Sequence, residues 1–143
     1  MRLSTRSRYG LRLLYDLALY YGEGPVFLKD SARRQGISEK YLSKLVIPLR
    51  GGKLIFSERG SRGGYSLARP PYGITVWDIV SVLEGETAPV ECVRDRKLCP
   101  SSDLCPSRDV WVGLEGAIRK YLEGITLESL VVTSQQKLMT YQI

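Results

Sequence analysis

The sequence predicts a mainly α-helical fold with one small β-hairpin, and three observations carry that expectation. Apolar residues recur at helical spacing over 11–21, 41–49, 76–83 and 110–122. One glycine-rich basic segment, Arg59 to Gly64, lies between two short strand-like runs. From Glu86 to Pro106 the periodicity disappears, and this stretch holds all three cysteines.

Composition limits what such a chain can do. With 143 residues, 43% hydrophobic and 25% charged, it has the size of one domain, or of a small domain plus an appended element. No apolar run approaches the roughly 18 residues of a membrane span. The richest stretch, Leu11 to Tyr21, is broken by Arg12 and Asp16, and no small-residue cleavage site follows it. A cytoplasmic location is expected. The net charge of +6 is unevenly placed: residues 1–70 carry 14 Lys/Arg against 5 Asp/Glu, a net +9, and residues 71–143 carry 7 against 10, a net −3. Basic surface confined to one half suits a nucleic-acid partner. The odd cysteine count argues against a disulfide framework. With no histidine, no Ser-His, Cys-His or HExxH constellation can be assembled, so an enzyme is not expected.

Taken in order, Ser7 is the predicted N-cap of a helix from Arg8 to about Tyr21, its apolar stripe Leu11, Leu14, Ala18 and Tyr21. Gly22 and Gly24-Pro25 end it. A short helix over Lys29 to Gln35 is broken by Gly36, and Ile37 anchors the turn. Ser38 then caps a second helix whose core side is Tyr41, Leu42, Leu45, Val46 and Leu49. This is a helix-turn-helix pattern. On the opposite side of the second helix, Ser38, Lys40, Ser43 and Lys44 stand where such a helix reaches base edges and phosphates in the major groove. Pro48 lacks a backbone donor, so this helix is expected to end or kink near Ile47, with Gly51-Gly52 reversing the chain. Lys53 to Glu58 and Tyr65 to Ala68 read as strands. Arg59 and Arg62 sit at the tip between them, suited to phosphate or a narrow minor groove. A helix-turn-helix followed at once by a basic hairpin is a winged helix-turn-helix, assigned to residues 1–70, with Arg69-Pro70-Pro71 at its end.

Residues 71–143 read as a helical region. Thr75 with Asp78 forms a capping box for a helix whose apolar face is Val76, Ile79, Val80 and Leu83, closed by Gly85. A long helix from near Ser107 carries Val110, Leu114, Ala117, Ile118, Tyr121 and Leu122. Its stripe suits either packing back on its own domain or serving as the dimerisation element of a protein that binds a pseudo-palindromic duplex as a two-fold dimer. Thr126 caps a last short helix. The loop 86–106 spaces its cysteines as Cys92-x6-Cys99-x5-Cys105, among Arg94, Asp95, Arg96, Lys97 and Asp103. Three thiols on one polar loop can converge on a soft metal centre, hold zinc, or act as redox thiols lowered in pKa by the nearby cations. An iron–sulfur cluster needs a fourth donor from elsewhere.

In Met1-Arg2-Leu3-Ser4 with Arg8-Tyr9, Gln35-Gly36-Ile37-Ser38 with Tyr41-Leu42, Arg59-Gly60, Gly63-Gly64-Tyr65, and the three cysteines after Val90-Glu91, the chain resembles the IscR/NsrR/CymR-type family of bacterial winged-helix regulators. The resemblance covers nearly the whole chain. It implies a homodimer with a crossed dimerisation helix that binds double-stranded DNA and regulates transcription. The DNA-contacting candidates become Arg2, Ser4, Arg8, Ser38, Lys40, Tyr41, Ser43, Lys44, Arg50, Arg59, Gly60, Arg62 and Gly63. Family members with such a trio resemble the iron–sulfur sensors, and the IscR type usually holds a 2Fe–2S cluster; CymR-like members generally lack the trio. By that resemblance Cys92, Cys99 and Cys105 are the cluster ligands. The chain departs from the pattern at the fourth ligand. Where IscR-type proteins carry a histidine, three residues after the third cysteine, this chain has Arg108. Where NsrR-type proteins carry an acid near the N-terminus, it reads Ser7-Arg8. A carboxylate from Asp95, Asp103 or Asp109, or an exchangeable small molecule, is then expected to complete the site.

Overall fold

The first helix begins three residues earlier than a Ser7 cap would place it. The computed structural model describes residues 2–60 and 63–142, and in it α1 runs Thr5–Leu19 with Ser4 as N-cap, accepting from the Ser7 N–H. Ser7 instead lies inside the helix and is buried. The buried face also differs from the expected stripe: Leu13, Leu14, Leu17 and Ala18 are in the core, Leu11 packs at its edge, and Tyr21, beyond the helix end, is 48% exposed. α2 (Leu28–Gln35) and α3 (Glu39–Gly51) follow, joined by Gly36 in the left-handed conformation at φ 63°. Ile37 is buried beneath that turn.

Pro48 does not end α3, contrary to the expectation from its missing donor. The helix continues to Gly51. A proline inside a helix costs about 3 kcal/mol. Leu45, Val46 and Leu49 are each no more than 3% exposed, and burying each is worth about 1.5–3 kcal/mol. Packing therefore outweighs the lost bond. Nor do the glycines reverse the chain by left-handed backbone; that conformation falls on Lys53, at φ 60°. Gly52 serves close packing, since a Cβ there would lie 2.6 Å from Val82 Cγ2.

Strands β1 (Ile55–Glu58) and β2 (Gly64–Leu67) pair antiparallel with Ile55 opposite Leu67 and Glu58 opposite Gly64. Val26 adds a bridge to the hairpin that sequence reading missed: its N–H donates to Tyr65 O at 2.9 Å, and Tyr65 N–H donates to Val26 O at 2.8 Å. The wing is thereby pinned to the α1–α2 connection. Gly64 permits this approach, with φ 150° and a hypothetical Cβ only 2.4 Å from Val26 O. Because the obstacle is backbone, Gly64→Ala is expected to cost more than about 1 kcal/mol in urea-induced unfolding.

After a 3-10 turn at Pro71–Gly73 comes α4 (Val76–Glu84), then α5 (Glu91–Arg94), a second 3-10 turn at Arg96–Leu98, α6 (Pro106–Glu123) and α7 (Leu127–Tyr141). The expected Thr75–Asp78 capping box is present, with bonds of 2.9 and 3.1 Å. Val76, Ile79, Val80 and Leu83 are buried as expected. The last helix is a full 15 residues rather than short, capped reciprocally by Thr126 and Ser129. Its start is tied to the segment before α4: Leu127 N–H donates to Ile74 O and Val76 N–H to Ile125 O. Ile74, Ile79, Leu83 and Leu127 share one core with α1–α3 and the wing. α6 stands apart from that core. None of its 18 residues is fully buried.

Candidate nucleic-acid interface and cysteine loop

The helix-turn-helix is held by a charge buried under α2. Asp16 is fully buried on α1 and accepts from Ser31 Oγ (2.6 Å), from Arg34 Nε and Nη2 (2.9 and 2.8 Å) and from Gln35 Nε2 (3.3 Å). Burial raises its pKa, but the hydrogen bonds from Arg34, Ser31 and Gln35, with the charge of Arg34, more than offset this and hold it below its ordinary value. The Arg34 guanidinium also stacks 4.3 Å from the Tyr20 ring centroid. Sequence reading took Asp16 as a polar interruption of an apolar stripe. Its partners lie 15 to 19 residues away, so local periodicity held no sign of them.

With α2 fixed, α3 presents two different sides. Leu42, Leu45, Val46 and Leu49 face the core, whereas Ser38, Lys40, Ser43, Lys44 and Arg50 are exposed. Ser38 caps the helix by accepting from Tyr41 N–H at 3.1 Å, and Ser43 Oγ donates to Lys40 O at 2.6 Å. Tyr41 is half-buried, its ring edge-on to Tyr9 with centroids 5.6 Å apart. The guanidinium groups of Arg8 and Arg12 lie 5.9 and 5.6 Å from the Tyr9 ring centroid, and Arg12 also bonds to Gln35. Tyr9 and Tyr41 thus bring the basic side of α1 beside α3. Arg12 was not among the sequence candidates; its i,i+4 spacing from Arg8 was the available signal.

In the wing, Arg59 and Gly60 are exposed at the tip, while Gly63 is buried and its N–H closes the turn on Gly60 O at 2.9 Å. Arg62 lies outside the described residues. Arg2 is exposed. The hydroxyl of Ser4 is occupied, accepting from Ser7 N–H and donating to Glu84 Oε1.

The cysteines occupy three distinct local settings. Cys92 is in α5, Cys99 follows the second 3-10 turn, and Cys105 is the N-cap of α6; all are free and half-buried. Ser107 Oγ, 3.1 Å away, and the Arg108 backbone N–H hold the Cys105 thiol below the usual thiol range. Arg108 Nε donates to Cys92 O at 3.2 Å, tying α5 to the first turn of α6. Asp95 accepts from Lys97 N–H and Asp103 pairs with Arg96. Asp109 is exposed in the first turn of α6. Among the described residues, no three Cys, Asp or Glu side chains are grouped to hold a metal ion. The donor chemistry fits three positions of an iron–sulfur cluster, and the chain has no fourth cysteine and no histidine to complete it.

A helix-turn-helix with an exposed basic side on α3, a hairpin wing and a helix outside the core make this a winged-helix protein. A family profile described as Rrf2, iron-dependent transcriptional regulator, matches residues 3–133. The chain is 45% identical to Protein rrf2 of Nitratidesulfovibrio vulgaris over 92% of its own length and 87% of that protein. It is 42% identical to the transcriptional regulator CymR of Bacillus subtilis over 91% of itself and 89% of that chain. The solved structure of CymR, the global cysteine regulator of B. subtilis, superposes with a TM-score of 0.78 at 40% identity, covering 93% of this chain and 98% of that one. IscR of T. potens gives 0.77 at 36% identity, covering 96% and 90%. The chain belongs to the Rrf2 family of transcriptional regulators, and its relatives CymR and IscR are regulators rather than enzymes. No helix among the described residues is long and apolar enough to cross a membrane.

Proposed function

We propose that this regulator senses iron–sulfur status through Cys92, Cys99 and Cys105 and transmits it to a winged helix that binds operator DNA. The observation that carries the reading is the placement of three free thiols on one loop that joins the DNA-binding core to α6. When bound, a 2Fe–2S cluster would order that loop. The protein's own part is to present three thiolates, to tie Cys92 to α6 through Arg108, and to leave the fourth position to Asp109 or to an exchangeable ligand, since Asp95 and Asp103 already have partners.

Residues 1–70 form the DNA-contacting part in this reading, and residues 71–143 sense and dimerise. The second copy is argued from α6: Val110 is 60% exposed, Trp111 38%, Val112 41% and Tyr121 70%, a density of apolar surface that one chain leaves uncovered. Two copies related by a two-fold axis would place two recognition helices on a pseudo-palindrome, in the cytoplasm where the chromosome is. Repression follows if that operator overlaps a promoter.

The test is an absorption spectrum of protein purified without oxygen, with iron and sulfide assays on the same sample. About two irons and two sulfides per chain, with visible charge-transfer bands lost on replacing any of the three cysteines by Ala, is the expected result. Colourless protein that resists reconstitution yet binds DNA would replace this reading by thiol-oxidation or zinc sensing at the same loop. Cys105 favours the thiol version of that second reading, through its contacts with Ser107 and the α6 N-terminus.

A further inference from the structure

Glu84 is the last residue of α4, at the point where the chain leaves the core for the cysteine loop. One of its oxygens, Oε1, accepts three hydrogen bonds from the other end of the molecule: Ser4 N–H at 2.8 Å, Ser4 Oγ at 2.7 Å and Ser7 Oγ at 2.6 Å. Ser4 is the N-cap of α1, and Ser7 is buried one turn inside it. Arg2 and Arg8 flank Ser4 and Ser7 in the sequence, and the charge of Arg6 favours the Glu84 carboxylate. Gly10, one turn further along α1, comes so close to α4 that a Cβ would meet Leu83 Cδ1 at 2.1 Å. The two helices are therefore joined by close packing along their contact and by one carboxylate at the end nearest the loop.

We infer that Glu84 is a positioning residue, coupling the cysteine loop to DNA affinity by clamping the N-terminus of α1 to the end of α4. The inference rests on the proposed reading of the loop as sensor and of residues 1–70 as the DNA-contacting part. Its physical basis is that a charged acceptor with three short donors holds more strongly than neutral pairs do. Any displacement of the loop that moves residues 84–86 must carry Ser4 with it or break those bonds. Arg2 and the first turn of α1 then shift relative to Lys40 and Lys44. Coupling of this kind requires that both sites bias the same element, and here that element is the α1–α4 junction.

The experiment compares wild type, Glu84→Ala, Glu84→Gln and Glu84→Asp on a fluorescein-labelled duplex enriched from random sequence by the wild-type chain. Affinity is read by anisotropy with the thiols free and after alkylation by iodoacetamide. Alkylation is expected to change the wild-type affinity by about five-fold or more. In Glu84→Ala the change should vanish, in Glu84→Gln it should shrink, and in Glu84→Asp it should largely return. Circular dichroism verifies that each variant is folded; if Glu84→Ala is not, Glu84→Gln decides. Equal responses in wild type and in the folded variants overturn the inference while leaving the sensor reading intact. A wild-type chain that binds DNA but ignores alkylation overturns both, and one that binds no duplex overturns the DNA-contact reading beneath them.

Discussion

Asp16→Ala is expected to lower the unfolding free energy by about 3 kcal/mol, the lower end of what a buried ion pair loses with one partner. The variant would leave Arg34, Ser31 and Gln35 without their common acceptor under α2. Arg34 is 27% exposed and can turn partly to water, which keeps the loss from the upper end. A typical domain has about 5–15 kcal/mol in total, so a substantial share would go. The exposed pair Arg119–Glu123, at 60% and 45% exposure, should by contrast contribute little, because water and salt screen it. Urea unfolding followed by circular dichroism separates the two, and a loss below about 1 kcal/mol for Asp16→Ala would remove Asp16 as the anchor of α2. The same carboxylate sets an acid limit. Its folded pKa lies below its unfolded value, so the stability it confers is present above the ordinary 3.8 and is lost as pH falls from there through the folded value. Glu84, held down despite its burial by bonds from Ser7 and Ser4, acts in the same direction as pH falls below its ordinary 4.5. Asp16→Asn should flatten the steepest part of the acid-unfolding curve.

DNA affinity should fall about a thousand-fold between 50 and 200 mM salt. If Lys40, Lys44 and Arg59 of each protomer neutralise phosphates, a dimer makes about six such contacts, and six release enough counterions for that drop. All three side chains are exposed, and none of them is held in an ion pair among the described residues. Lys44→Ala should weaken binding across sequences and lower the salt slope by about two in the dimer, one contact per protomer. Anisotropy titrations over a series of salt concentrations give the slope directly. A slope near zero would take DNA contact away from α3 and the wing.

The helix-turn-helix and its wing were legible because their signals are local. A Ser N-cap, a glycine in the turn and an apolar face repeating every three to four residues lie within fourteen positions, as at Gly36, Ser38 and Leu42 to Leu49. The three cysteines were legible as a group because they share one segment. Their local settings were not, since a loop's conformation is set by what it rests on, and here that includes the bond from Arg108 to Cys92 O. Two local rules misled. Ser7 looks like a cap but is drawn inward by Glu84, and Pro48 looks like a stop but is overridden by the burial around it.

By itself, then, the sequence determined the helical class, the winged hairpin, the basic half and the trio of thiols, because each depends on neighbours a few residues apart. The tertiary structure decided what joins distant segments: Asp16 with Arg34, Val26 with Tyr65, Glu84 with Ser4, and the exposure of α6. Pairings across 18 to 80 residues depend on how whole elements dock, and a buried carboxylate shows its role only when its donors are in place.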